Sequence, residues 1–291
     1  MSRGRWSLSR TPTTSTRCSA SKRGVARRVG AACGVTSSSR SASRCRRRSY
    51  PWHPGRARRR RPLAEAVCKD GPMSFDWDPY AIIDTRDGNT DASPLLVLLH
   101  GYGADERDLL PVAAQLPAQF TVASIRAPFA MGPGYTWFPL VADPAFDFSI
   151  VRDVVERLED WIEEMKAKHE TIVLLGFSMG MAVATSLLRR RPDLITAVVG
   201  CSGFALDAAL DPGQDFFDDA ALKHHKLPLF WGRDPQDPVI TEDKVEYTNH
   251  WARAHTKLTK VNYAGIGHGI GAQEISHIGE FLDAEVFGAR L

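Results

Sequence analysis

Thr171-Ile172-Val173-Leu174-Leu175-Gly176-Phe177-Ser178-Met179-Gly180 is an apolar run closed by a Gly-x-Ser-x-Gly turn, and the residues that follow repeat at helical spacing. The stretch predicts a strand, a sharp turn and a helix, with a serine at the apex. A serine hydroxyl becomes a useful nucleophile only when it is exposed beside a general base and near donors that can hold an oxyanion. The turn does the exposing, and its flanking glycines answer to backbones packed too closely for side chains. Alone, the pentapeptide arises by chance in about one chain in eight of this length at ordinary Gly and Ser frequencies. The weight rests on its setting: strand before, helix after, and an acid and a histidine later in the chain, in that order.

His268 meets the last condition. It stands in Gly265-Ile266-Gly267-His268-Gly269, between a strand candidate at 259–263 and a final helical segment. The glycines also imitate a dinucleotide fingerprint, but only one helix follows them, so no βαβ unit remains to bind a nucleotide. The acid should lie between Ser178 and His268, after a strand, where it can orient the imidazole. The segment after Leu229-Phe230-Trp231-Gly232 offers Asp234 and Asp237. Asp237 is preferred, with Asp234 as a solvated turn residue. Two backbone N–H groups are expected to form the oxyanion hole, that of Met179 after the nucleophile and that of Tyr102. Tyr102 sits in His100-Gly101-Tyr102-Gly103, fed by the apolar run 94–99. His100 itself is read as shaping this loop. No metal is called for, since H-E-x-x-H and Cys/His ligand spacings are missing.

These residues carry a resemblance. His100-Gly101-Tyr102-Gly103, Gly176-Phe177-Ser178-Met179-Gly180, Asp237-Pro238-Val239-Ile240 and Gly267-His268-Gly269 with Gln273-Glu274-Ile275 resemble the phospholipase/carboxylesterase family of α/β-hydrolases, to which acyl-protein thioesterases belong. The likeness runs from about Met73 to the C-terminus and includes Arg126-Ala127-Pro128 and Trp137-Phe138, similar to the family's substrate-side loop. It implies a cofactor-free serine esterase on a doubly wound sheet. Met179 stands where the family usually has Gln, and Tyr102 where an aliphatic residue is common. Both positions act through backbone N–H groups, so the departures bear on acyl preference. Pro235-Gln236 looks like an insertion in the acid loop.

Charge divides the chain. Residues 1–72 hold 19 of the 37 basic residues and 2 of the 34 acidic ones, which leaves residues 73–291 with 18 basic and 32 acidic, a balance of −14. The first segment is rich in Arg, Ser, Ala and Gly and lacks apolar periodicity, so it cannot offset its ordering entropy and is expected to be a disordered basic tail. Three readings of it are a transit peptide, a polyanion-binding arm and, the preferred one, sequence upstream of a true start at Met73. Four of the five cysteines, Cys18, Cys33, Cys45 and Cys68, lie there, leaving Cys201 in the folded part. A lone cysteine beside an apolar strand implies no disulfide framework and points to a reducing, cytoplasmic compartment. No apolar run reaches transmembrane length.

From Met73 onward strands at 95–99, 121–125, 171–176, 195–200, 228–232 and 259–263 alternate with helices at 107–116, 150–168, 179–191, 241–256 and 272–287. The alternation predicts a single α/β domain, 73–291, with a doubly wound, mostly parallel sheet: the α/β-hydrolase fold. Segment 128–138 is expected to lack regular structure because of its Pro and Gly residues. It carries Phe129, Trp137 and Phe138 as substrate-binding candidates. A second loop, 203–219, has a weaker claim. The expected function is serine-dependent hydrolysis of carboxylic esters, thioesters included, in small neutral acyl substrates. An acyl-protein thioesterase or lysophospholipase, and a catalytically silent binding protein on the same fold, stand as alternatives. A small-molecule ester is the expected partner, with no nucleic acid for the folded domain; the oligomeric state is left open.

Overall fold

The structure is a computed structural model that describes residues 76–86, 89 and 92–288. The expected basic tail, 1–72, lies outside the described residues. Strand β2, Leu95–Leu99, exposes none of its five residues, as befits a strand covered on both faces. Around it β1 (Ala81–Asp84), β3 (Thr121–Ile125), β6 (Ile172–Phe177), β7 (Ala197–Cys201), β8 (Pro228–Arg233) and β9 (Lys257–Asn262) form one sheet in the order β1-β3-β2-β6-β7-β8-β9. All pairings are parallel except that of β1 with β3.

Side-chain alternation divides the core. Leu95, Val97 and Leu99 of β2 and Ile172 and Leu174 of β6 face one layer. That layer holds α2 (Phe148–Lys166), α3 (Met179–Arg190), α4 (Asp219–His225) and α5 (Glu242–His255). Helix α2 presents Val151, Val154, Val155, Leu158 and Ile162 at intervals of three and four residues, and Asp147 caps it by accepting from Ser149 N at 2.9 Å. Leu96 and Leu98 of β2 and Val173 and Leu175 of β6 face the other layer, with Leu109, Ala113 and Leu116 around α1 (Leu110–Ala113) and Ile278, Phe281 and Leu282 of α6 (Ala272–Glu285).

The register positions the site. Leu99 pairs with Gly176, Phe177 with Cys201, Cys201 with Gly232 and Arg233 with Asn262. The carboxyl ends of β2, β6, β7, β8 and β9 therefore share one edge. From β2 the chain goes to β3 on one side and later to β6 on the other, so the order reverses between β2 and β6, where doubly wound sheets open a crevice.

Some elements differ from expectation. β1 is an antiparallel edge strand of four residues, too short to show in the pattern, and it pairs Ala81 with Ile125. The helix expected over 107–116 contracts to α1, with turn bonds such as Leu110 N to Arg107 O on its flank. The segment read as irregular contains a hairpin: β4 (Phe129–Met131) pairs with β5 (Gly134–Thr136) across Gly132-Pro133. Gly132 has φ +57°, and a two-residue hairpin loop favours Gly where φ is positive, so the Gly-Pro pair makes the turn instead of breaking the strands.

Candidate active site

Ser178 is the residue between β6 and α3, with φ 54° and ψ −117°, a strained backbone for a side chain to occupy. The glycines on either side have steric causes. A Cβ on Gly176 would collide with Gly180 O, and one on Gly180 with Leu99 O. Helix α3 can thus turn back against β2 and β6 directly after the serine. The N–H of Met179, the first of α3, has no acceptor within its helix. Met179's side chain is buried, and its sulfur accepts from Thr136 Oγ1 at 3.3 Å.

His268 comes from the loop after β9. Its Nε2 lies 3.0 Å from Ser178 Oγ and its Nδ1 2.8 Å from Asp237 Oδ2. With the Nδ1 proton facing the carboxylate, Nε2 presents a lone pair to the serine O–H. The second carboxylate oxygen of Asp237 accepts from Val239 N at 2.8 Å, which fixes the carboxyl plane. Phe177 supports the imidazole from the side, 5.1 Å between ring centres.

Asp234 is no solvated turn residue. It is 3% exposed, and its Oδ2 accepts from Gly265 N and Gly267 N, both at 2.8 Å, while Oδ1 accepts from Gln236 N at 2.9 Å. The amides of Gln236 and Gly267, and then Gly265, hold its carboxyl below the usual aspartate range. Ser202, at φ 44° after β7, donates from Oγ to Gly269 O at 2.8 Å. Two buried side chains from neighbouring strand ends thus pin a glycine-rich loop on either side of His268. The two aspartates after β8 divide the work, Asp237 touching the imidazole and Asp234 the glycine amides of the loop that carries it.

The loop after β2 is fixed as firmly. His100 Nδ1 donates to Gly101 O at 2.8 Å and Nε2 accepts from Ala127 N at 3.1 Å. Burial lowers its pKa, which suits a neutral imidazole with both nitrogens used in shaping the loop. Gly103 N donates to Tyr135 O and Tyr135 N to Ala104 O, each at 2.8 Å, so the β4–β5 hairpin holds the segment that carries Tyr102. Beneath it Arg126 forks onto the buried Glu106 at 2.7 and 2.6 Å, between the rings of Tyr80 and Tyr135.

A cavity of about 390 Å³ opens over Ser178 and His268. Phe138, Phe204, Ile240 and Val141 give it apolar walls, and Tyr102 and Lys244 also face it. Phe129 lines a smaller cavity of about 90 Å³ that shares Tyr102 with the first. Trp137 lines neither. It is fully buried, its indole N–H donates to His100 O at 2.8 Å, and its ring meets Trp77 edge-on at 6.2 Å. The expectation that it contacts substrate is corrected: the hairpin turns it under the loop, where its N–H finds a partner. Of the second loop, Phe204 reaches the cavity, whereas Phe216 and Asp219 belong to the packing around Arg189 and Arg190. Among the described residues no group of three or more His, Cys, Asp or Glu side chains could hold a metal ion, and no helix is long and apolar enough to cross a membrane.

A family model described as Phospholipase/Carboxylesterase matches residues 81–286. The putative hydrolase MhqD of Bacillus subtilis (strain 168) is 26% identical over 196 residues, 64% of this chain and 91% of its own length. Among solved structures, the Bacillus cereus carboxylesterase superposes with a TM-score of 0.59 at 21% identity, covering 71% of this chain and 94% of its own. Acyl-protein thioesterase 2 of Zea mays gives 0.57 at 17% identity, over 71% of this chain and 98% of its own. At these identities the structural likeness establishes a shared fold.

Proposed function

Because the chain belongs to the phospholipase/carboxylesterase family, we propose that it is a serine carboxylesterase in which Ser178 is the nucleophile, His268 the general base and Asp237 the residue that orients the base. The observation that carries this reading is the unbroken path from Asp237 Oδ2 to His268 Nδ1 and from Nε2 to Ser178 Oγ, 2.8 and 3.0 Å, at the mouth of an apolar cavity.

Ser178 Oγ attacks the ester carbonyl as its proton passes to His268 Nε2, and the carboxylate of Asp237 stabilises the imidazolium. The backbone N–H groups of Met179 and Tyr102 receive the oxyanion. The imidazolium then protonates the leaving alcohol, or thiol in a thioester, and leaves an acyl-Ser178. Water enters, His268 takes its proton, and a second oxyanion collapses to release the acid. Phe138 in the main cavity and Phe129 in the smaller one contact the acyl or alcohol group, and Cys201, a buried free thiol and the one cysteine among the described residues, fits a reducing compartment.

Hydrolysis of 4-nitrophenyl esters by the purified chain tests this. Ser178→Ala and His268→Ala should each lower kcat at least about a thousandfold, and Asp237→Asn somewhat less. A larger loss in Asp234→Asn than in Asp237→Asn would reassign the acid.

A further inference from the structure

Lys244, on the first turn of α5, is the one Lys or Arg side chain among the residues lining the cavity over Ser178. It also lines an adjoining cavity of about 200 Å³, which shares Val141 and Phe204 with the first. The half-buried lysine therefore stands where the two compartments meet. Its ammonium lies 4.6 Å from the centre of the Phe204 ring, a contact that holds it against the wall instead of letting it swing into solvent.

No carboxylate among the described residues lies within ion-pair distance of that ammonium. The two acids that line the adjoining cavity, Asp207 and Asp243, have hydrogen-bond partners of their own. Asp207 Oδ1 accepts from Ala209 N at 2.9 Å and caps a 3₁₀ turn. Asp243 bonds the Thr241 hydroxyl and the first amides of α5, and its carboxylate attracts Lys244 only from beyond ion-pair distance. A half-buried cation with no carboxylate in contact, at the end of an apolar cavity that holds a nucleophile, is free to receive an anionic group of a bound molecule.

We propose that Lys244 makes this junction a subsite for an anionic group, a carboxylate, on the ester substrate, set beyond the apolar stretch that Phe138, Phe204 and Ile240 enclose. The inference rests on the esterase reading and names its substrate class. It replaces the expectation of small neutral substrates, even though the −14 balance of residues 73–291 repels anions at long range. That charge is spread over a surface and screened beyond about 8 Å at physiological salt, whereas Lys244 acts inside the cavity. The carboxylate belongs either to the acyl group, as in a half-ester of a dicarboxylic acid, or to the alcohol, as in the ester of a hydroxybenzoic acid.

Two matched pairs of esters separate these sources on the full chain. 4-Nitrophenyl hydrogen glutarate against 4-nitrophenyl valerate places the charge on the acyl side; 4-acetoxybenzoate against phenyl acetate places it on the alcohol side. The readout is the anionic-to-neutral ratio of kcat/KM within each variant, so any general loss of activity cancels. In one pair the ratio should fall about three- to tenfold in Lys244→Ala and further in Lys244→Glu, and persist in Lys244→Arg. In the unaltered protein it should decline as salt is raised. Ratios that ignore Lys244 in both pairs, while the neutral esters are turned over, overturn the subsite and leave the esterase reading standing. Failure to hydrolyse any of the four overturns both.

Discussion

Trp137→Ala separates a structural role from a substrate-binding one. The side chain has no exposed surface, so its removal forfeits the burial of a whole indole and leaves a cavity in the core cluster, next to Trp77 and His100. Fully buried Trp or Phe truncations cost about 3–5 kcal/mol, and the His100 carbonyl, deprived of the indole N–H at 2.8 Å, adds about 1 kcal/mol. For a domain of this size a loss of about 4–6 kcal/mol lowers the melting temperature by roughly 8–24 °C. Because His100 leads directly into Gly101 and Tyr102, kcat should fall as well. The rank order of acyl chain lengths should hold, since Trp137 touches neither cavity. Trp137→Phe, which keeps most of the volume, should recover most of the stability. Thermal and urea melts with a 4-nitrophenyl ester series decide the matter. A Trp137→Ala protein within about 1 kcal/mol of the parent, with a flattened chain-length profile, would refute the packing argument and put the ring in the cleft.

Lengthening the acyl chain of neutral 4-nitrophenyl esters should add about 0.8 kcal/mol per buried methylene, close to a fourfold gain in kcat/KM, until the cavity is full. A profile flat from acetate to hexanoate would deny the cavity a part in binding. Burial raises the Glu274 carboxyl from 4.5 to about 7. The folded state then keeps a proton that the unfolded chain releases, so the group costs stability increasingly as pH rises from about 4.5 to about 7. Glu274→Gln should gain on the parent by about 2 kcal/mol between pH 5 and pH 8 in urea unfolding, and an advantage that does not change with pH would contradict this. A chain beginning at Met73 should melt cooperatively and hydrolyse esters like the full chain, because Trp77 and Ala81 already reach the core from that side. Loss of its melting transition would show that earlier residues take part in the fold.

Much of this was legible because the informative residues are ones with few physical alternatives. The five residues of β2 could hardly be anything but a strand buried on both faces, and Ser178 between its two glycines announces a turn that backbone contact enforces. His268 and Asp237 followed from chain order and loop placement. What escaped depends on contacts between distant segments. Asp234 looks like any Asp-Pro turn until the amides of Gly265 and Gly267, some thirty residues on, are seen to meet it. Trp137 and Phe138 are adjacent and equally aromatic, and only the Gly132-Pro133 hairpin decides which side of the loop each takes. Lys244 sits in a helix rich in charged residues, and nothing local marks the one that turns to the cavity.

The central claim is that Ser178 is activated by His268, and a fluorophosphonate probe tests it most directly, because only a serine with a working base and oxyanion hole reacts at an appreciable rate. The full chain should take up one equivalent of probe, located on Ser178 by peptide mass spectrometry, and labelling should vanish in Ser178→Ala and collapse in His268→Ala. An unlabelled, fully folded protein, or an adduct on any residue other than Ser178, would contradict the account.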